Sequence, residues 1–383
     1  MPAGRIRSTL AVGLGICAAG VIGAVVGVAL PSTPGAVAVF TAIWVTLPLL
    51  VFFGIDEGFR DLTIGYVRAI YFGLPAIAVF FVLRFTNEGI GVTRPIMYTS
   101  LFSLACNVFL NYVLMFGKFG FPALGVVGCG LASAITMWLM SFGLGVYVYV
   151  HPRYKPLHIF SKIAPIRLSV FKEVLSLGWP IMITLVAEVG MFAAISLLMG
   201  TLGVTIAAAH QIAINFASTM FMVPLALSSA ITVRVGQELG RGNADAARFS
   251  GKVGIIFCGL FMACAAIMML LFRDVVVKIY TNDAEVQAIA FSLLLMAAFF
   301  QVADGIQIGA AGALRGYKDT QVPMIINTFS YWVLGFPAAY IAAKVLFLEP
   351  KYIWTGFVLG LTVSAILLTG RFRKISLNTS LSP

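Results

Sequence analysis

The sequence predicts an all-α integral membrane protein. It has ten clear transmembrane helices after an N-terminal apolar segment, in two pseudo-symmetric helical lobes, the first incomplete. Three observations carry that prediction. The 383 residues are 61% hydrophobic and only 10% charged, whereas soluble domains are about 45–50% apolar and about 25% charged. Apolar runs recur at the length that crosses a bilayer, and motifs of the first half return in the second. The same composition excludes disorder, coiled coil, collagen and a secreted disulfide scaffold.

A hydrocarbon core of about 30 Å needs about 20 apolar residues of helix. The first apolar run covers 9–30, behind Arg5 and Arg7. It has the outline of a signal peptide but is too long for an h-region, so it is read as retained. Pro31, Pro34 and Gly35 then break the chain. Either 9–30 crosses alone, or 9–54 makes one tilted, kinked or re-entrant crossing. The ten clear runs are 36–54, 66–84, 96–116, 124–149, 177–200, 205–231, 252–273, 289–313, 322–346 and 352–370. Lipid-exposed irregular backbone leaves amides unpaired, so these are helices. The alternating segments of a β-barrel are absent. The predicted domains are an N-terminal lobe over 1–149 with about four helices, a basic linker over 150–176, and a six-helix C-terminal lobe over 177–383.

Net charge is +11. Basic residues sit in short gaps between apolar runs, with no basic face, so a nucleic-acid partner is not expected and a lipid bilayer is. With the ten helices alternating, one side collects 16 Lys and Arg, from Arg84 to Lys374, and the other collects 7. The richer side is cytoplasmic, which places the C-terminus inside; the location expected for the chain is the inner (plasma) membrane. Five cysteines lie in apolar stretches without a CxxC and read as small buried hydrophobes.

The repeat has an offset near 227–231. Asp56-Glu57 answers Asp283-Ala-Glu285. Leu83-Arg84 before Pro95 answers Leu314-Arg315 before Pro323. Gly130-Leu-Ala-Ser-Ala-Ile answers Gly360-Leu-Thr-Val-Ser-Ala-Ile. Weak internal symmetry is a habit of secondary transporters. Helices 177–200 and 205–231 precede the repeated part, and their first-half counterparts fall before Met1.

Charge at the bilayer centre costs about 2.5–3.5 kcal/mol on insertion scales and marks function. Of 14 acidic residues, only Glu188 and Asp304 lie mid-helix, with no Lys or Arg expected at their depth. Gln301 and Gln307 flank Asp304 on one face. Gly305, Gly309 and Gly312 permit close helix approach or local unwinding. Thr184 and Phe192 flank Glu188 by one turn on either side. A stripe of His210, Gln211, Asn215, Ser218 and Thr219 ends at Pro224, which is expected to kink its helix. Together these describe one polar cavity, with Phe300 among its aromatic candidates. His210 by itself reads as a packed core histidine. A carboxylate in a low dielectric disfavours its bare charge, so a proton, Na⁺ or an organic cation competes for it.

Enzyme motifs are absent. Gly251-Lys252 is followed by Val253 rather than Ser or Thr, there is no HExxH, and the three histidines have no metal spacing. No catalysis and no cofactor beyond a coupling ion are expected.

Four segments carry a resemblance: Ala208-Ala-His-Gln-Ile-Ala-Ile-Asn-Phe216, Arg234-Val-Gly-Gln-Glu-Leu-Gly-Arg-Gly242, Leu314-Arg-Gly-Tyr-Lys-Asp-Thr320 and Tyr331-Trp-Val-Leu-Gly-Phe-Pro337. In combination they resemble the multidrug and toxic compound extrusion (MATE) transporters, in the NorM-like branch, from about residue 36 onward. The resemblance implies two six-helix lobes around a cleft, and export of cationic or amphipathic drugs in exchange for Na⁺ or H⁺. It also implies cation-site roles for Glu188 and Asp304. The family's functional aspartate in its first helix has no counterpart here, and neither do its first two helices. The chain is therefore expected to be a fragment or to start at a misassigned Met. Competing readings are a flippase for lipid-linked precursors, which needs several basic cleft residues, a non-transporting fragment, and a membrane-embedded protease, for which no paired motif exists.

Overall fold

The computed structural model describes residues 57–157 and 168–381. The expectations for 9–30 and 36–54 lie outside them. All described elements are helical. They form two compact units, divided between Ser176 and Leu177.

The first unit holds α1 (Glu57–Tyr71), α2 (Leu74–Gly89), α3 (Arg94–Phe116) and α4 (Gly125–Val150), with α4 packed against the other three. The single continuous helix expected over 66–84 is corrected here: α1 and α2 are separate helices bent by 43°, which together have the length and composition of one broken span. Gly73 sits at the N-cap of α2 and Pro75 follows in its first turn. Pro75 has no N–H for a carbonyl one turn back, so the helix cannot run through. Trp138 of α4 donates its indole N–H to the Phe72 carbonyl, at the bend, at 2.9 Å. A count of apolar residues does not register such a break. A small core of Phe80, Leu83, Leu144 and Val148 takes in Tyr154 from the 3₁₀ turn Pro152–Leu157. The Tyr154 hydroxyl donates to Asn87, whose own amide donates to the Leu83 carbonyl at 2.7 Å.

The second unit holds α5 (Leu168–Gly200, its first turns preceding the division), α6 (Val204–Gly240), α7 (Ala244–Leu271), the short α8 (Arg273–Tyr280) and α9 (Ala284–Gly316). The next span starts as α10 (Gln321–Phe329), then passes through a π turn (Ser330–Gly335), α11 (Phe336–Tyr340) and a second π turn (Ile341–Val345). A single turn, α12 (Pro350–Ile353), leads into α13 (Thr355–Leu381). The basic segment 150–176 is therefore partly helical. Several helices outrun their apolar runs because polar end residues continue the same backbone ladder; α6 reaches Gly240. Among the described residues eight helices are long and apolar enough to cross a membrane, or nine with the bent pair counted as one span.

α9 is the hub of this unit, packing on α6, α7 and α13. It stays helical throughout, so its glycines serve close approach rather than unwinding. A Cβ on Gly312 would lie 2.4 Å from Ser228 Oγ and 2.5 Å from the Ser228 carbonyl oxygen. Hydroxyls close the resulting seam: Ser228 donates to the Ile308 carbonyl at 2.7 Å, and Thr232 to the Gly312 carbonyl at 2.8 Å. The repeat is visible in the elements. Glu57 and Ala284, Arg94 and Gln321, Gly125 and Thr355 open matching helices at offsets of 227, 227 and 230.

Candidate functional site

α5 and α9 bring the two mid-helix carboxylates into one buried region. Glu188 is 9% exposed and Asp304 4%, and they lie within electrostatic reach of each other. Gln301 and Gln307, one helical turn on either side of Asp304, are wholly buried. Both polar atoms of each amide, and Asp304 Oδ1, lack a hydrogen-bond partner among the described residues. The span after α9 adds Asn327 Nδ2, Ser330 Oγ and Tyr331 Oη to that set. Here the π turn matters: it buries the consecutive residues Ser330 and Tyr331. Buried polar groups normally find partners, and each one left without costs about 1–3 kcal/mol. A cluster of them marks a place built for a polar guest.

A cavity of about 30 Å³ lies beside Glu188, lined also by Thr184, Gln307, Arg315, Thr320 and Asn327. That is room for a water-sized particle or a bare small cation, not for a drug. Carboxylate, amide and hydroxyl oxygens are hard donors and suit an alkali cation. No group of three or more His, Cys, Asp or Glu that could hold a metal occurs among the described residues.

The expectation that no basic residue reaches this depth is corrected: Arg315, on the last turn of α9, lines the same cavity as Glu188. The 33 residues of α9 span about 50 Å, well beyond the bilayer core, so counting from helix ends misjudges depth. The long Arg stem covers the rest.

The expected single polar cavity is also corrected. Gln211 and Asn215 line a different cavity, of about 410 Å³, with Tyr280, Thr281 and Asp283. Tyr280 donates to Asn215 Oδ1 at 2.9 Å. The two cavities share no lining residue, since Gln211 and Asn215 lie near the opposite end of the unit from Arg315 and Thr320. His210 is a satisfied core residue between Ser196 and Trp354. Phe300 is 2% exposed, and with Phe192, Trp354 and Phe357 it forms an aromatic cluster. Sequence reading missed Arg315, Thr320, Asn327 and Tyr331 as neighbours of the carboxylates. The available signal was that three of them fall inside the quoted motifs 314–320 and 331–337.

The MatE family model matches residues 21–113 and 180–341 of this chain. The chain belongs to the MATE family. Among its MATE relatives, the probable multidrug resistance protein NorM of Shewanella oneidensis is 41% identical over 319 residues, covering 82% of this chain and 70% of that protein. The multidrug resistance protein MdtK of Edwardsiella ictaluri is 38% identical over 323 residues, covering 83% and 71%. A multidrug resistance MATE transporter solved in an outward-facing conformation superposes with a TM-score of 0.84 at 19% identity, over 99% of this chain and 89% of that one. The eukaryotic MATE transporter AtDTX14 gives 0.78 at 21% identity, over 98% and 85%. MATE proteins are membrane transporters rather than enzymes, and this one is a multi-pass protein of the lipid bilayer.

Proposed function

We propose that the protein is a secondary active multidrug exporter of the inner membrane, exchanging Na⁺ or H⁺ for cationic or amphipathic drugs by alternating access. The observation that carries this is the buried pair Glu188 and Asp304, set among unpartnered amides beside a cavity of cation size. The multidrug names of the NorM and MdtK relatives supply the drug side. The C-terminus is cytoplasmic on the Lys and Arg distribution.

The physics is competition. A bare carboxylate pair in a low dielectric is costly, and any cation that reaches it relieves that cost. A proton or Na⁺ entering from outside neutralises Glu188 and Asp304 and lowers their attraction for a cationic drug, which leaves. Once the cation is lost to the cytoplasm, the charge returns and drug is taken up again. Two carboxylates against one guanidinium leave the region anionic, which disfavours a phosphate-bearing lipid as cargo. In a dye-efflux assay with imposed Na⁺ or proton gradients, Glu188→Gln and Asp304→Asn each should cut export about tenfold or more, one charge interaction at this depth being worth that much. Undiminished, ion-dependent export by both variants overturns the site. A membrane-inserted wild-type chain that exports nothing overturns the exporter reading.

A further inference from the structure

Arg315 is a half-buried charge that cation exchange does not require. Its Nη2 donates to Ser228 Oγ at 2.7 Å. Ser228 is fully buried and gives its own proton to the Ile308 carbonyl at 2.7 Å, so it meets the guanidinium purely as an acceptor. One neutral acceptor is a poor match for five donors. Arg315 Nε is buried with no hydrogen-bond partner among the described residues. Meanwhile Arg315 lines the same cavity as Glu188, and Thr184, Gln307 and Asn327 add polar groups to its wall.

We propose that Arg315 is a tethered internal cation that competes with the coupling ion for Glu188, with Ser228 as the resting place it occupies when the ion is bound. This deepens the exporter reading and rests on Glu188 holding the coupling ion. In the ion-free protein the guanidinium swings from Ser228 toward Glu188 through the shared cavity. An arriving cation must displace it, which returns it to Ser228. Arg315 thus sets how much coupling ion is needed, and prevents an uncompensated carboxylate from holding its ion too tightly to release.

The test uses purified full-length protein in detergent. Thermal unfolding midpoints are followed against Na⁺ at fixed pH with choline as the balancing cation, and against protons in choline alone. The ion concentration giving half the stabilisation is the readout. Arg315→Met keeps the stem and removes the competitor, so the half-point should fall about tenfold or more. Ser228→Ala removes the resting place and frees Arg315 to compete, so the half-point should rise. Opposite shifts from two variants at one hydrogen bond cannot come from general destabilisation. In a Glu188→Gln background the ion stabilisation itself should be lost, whichever residue stands at 315 or 228. Unchanged half-points in Arg315→Met and Ser228→Ala, with ion stabilisation abolished by Glu188→Gln, overturn the proposal and leave the ion site standing. A protein that neither ion stabilises overturns the ion site, and the Arg315 proposal with it.

Discussion

His210 and Gln307 are both buried polar residues, and their hydrogen bonds assign them opposite roles. Trp354 can only donate through its indole N–H, which reaches His210 Nδ1 at 3.1 Å. The ring proton is therefore on Nε2, which donates to Ser196 Oγ at 2.8 Å, while Ser196 passes its own proton to the Phe192 carbonyl at 2.8 Å. Every group is satisfied, which is a structural arrangement. Gln307 has neither amide atom in a well-formed hydrogen bond among the described residues, the Tyr331 hydroxyl beside it making only a loose contact. Replacing a buried unpartnered amide by an isosteric apolar group is close to neutral, whereas deleting a bonded ring leaves a cavity and orphaned partners. His210→Ala should therefore lower unfolding free energy by about 2–4 kcal/mol and keep the ion half-point. Gln307→Leu should keep or raise ion-free stability and lose most of the ion stabilisation. Denaturant unfolding with and without ion reads both. If Gln307→Leu is as costly as His210→Ala without ion, the amide is structural and not a ligand.

At the scale of elements, the same length of chain is bent in one half and straight in the other. Glu57–Gly89, carrying α1 and α2, matches the continuous α9 at an offset of 227. Gly73 and Pro75 fall where α9 has Phe300 and Val302, so one chain stops its hydrogen-bond ladder and the other continues it. α9 in turn depends on its small residues. Gly312→Ala should push α9 off α6, because the new methyl meets both the hydroxyl and the carbonyl of Ser228. The cost should be about 1–3 kcal/mol, read by thermal unfolding. Since Ser228 also anchors Arg315, the ion half-point should move as well; a destabilised variant with an unmoved half-point separates seam packing from ion control. The broken helix was hidden at the sequence level because Gly73-Leu-Pro75 sits inside an otherwise apolar run, where hydropathy dominates the reading.

Across the whole molecule the repeat is one of shape and not of chemistry. Gln301, Asp304 and Gln307 answer to Leu74, Ile77 and Phe80 at the same offset, so the first unit presents an apolar face where the second presents ligands. Ion binding should therefore be felt in one unit only. Hydrogen–deuterium exchange with and without saturating coupling ion should show protection in α5, α9 and the 321–345 span, and none in α2, α3 or α4. Equal protection in both units would place an ion site in the first as well. The family's motifs made the two carboxylates legible, and burial depth selected the same pair, because an acidic residue inside a long apolar run stands out in sequence. Arg315 did not stand out, since it ends a helix where basic residues are ordinary.

Chain composition fixed the class and the spans, since about 20 consecutive apolar side chains have no soluble alternative to a helix in lipid. Spacing also placed Gln301 and Gln307 on the face of Asp304, because helical geometry is local. Only the packed structure separated Gln211 and Asn215 from Glu188 and carried Arg315 into the carboxylate cavity. It also gave His210 its three-residue chain of bonds. Those outcomes depend on which helices meet and how far a side chain reaches between them, and neither is written in the order of residues along one helix.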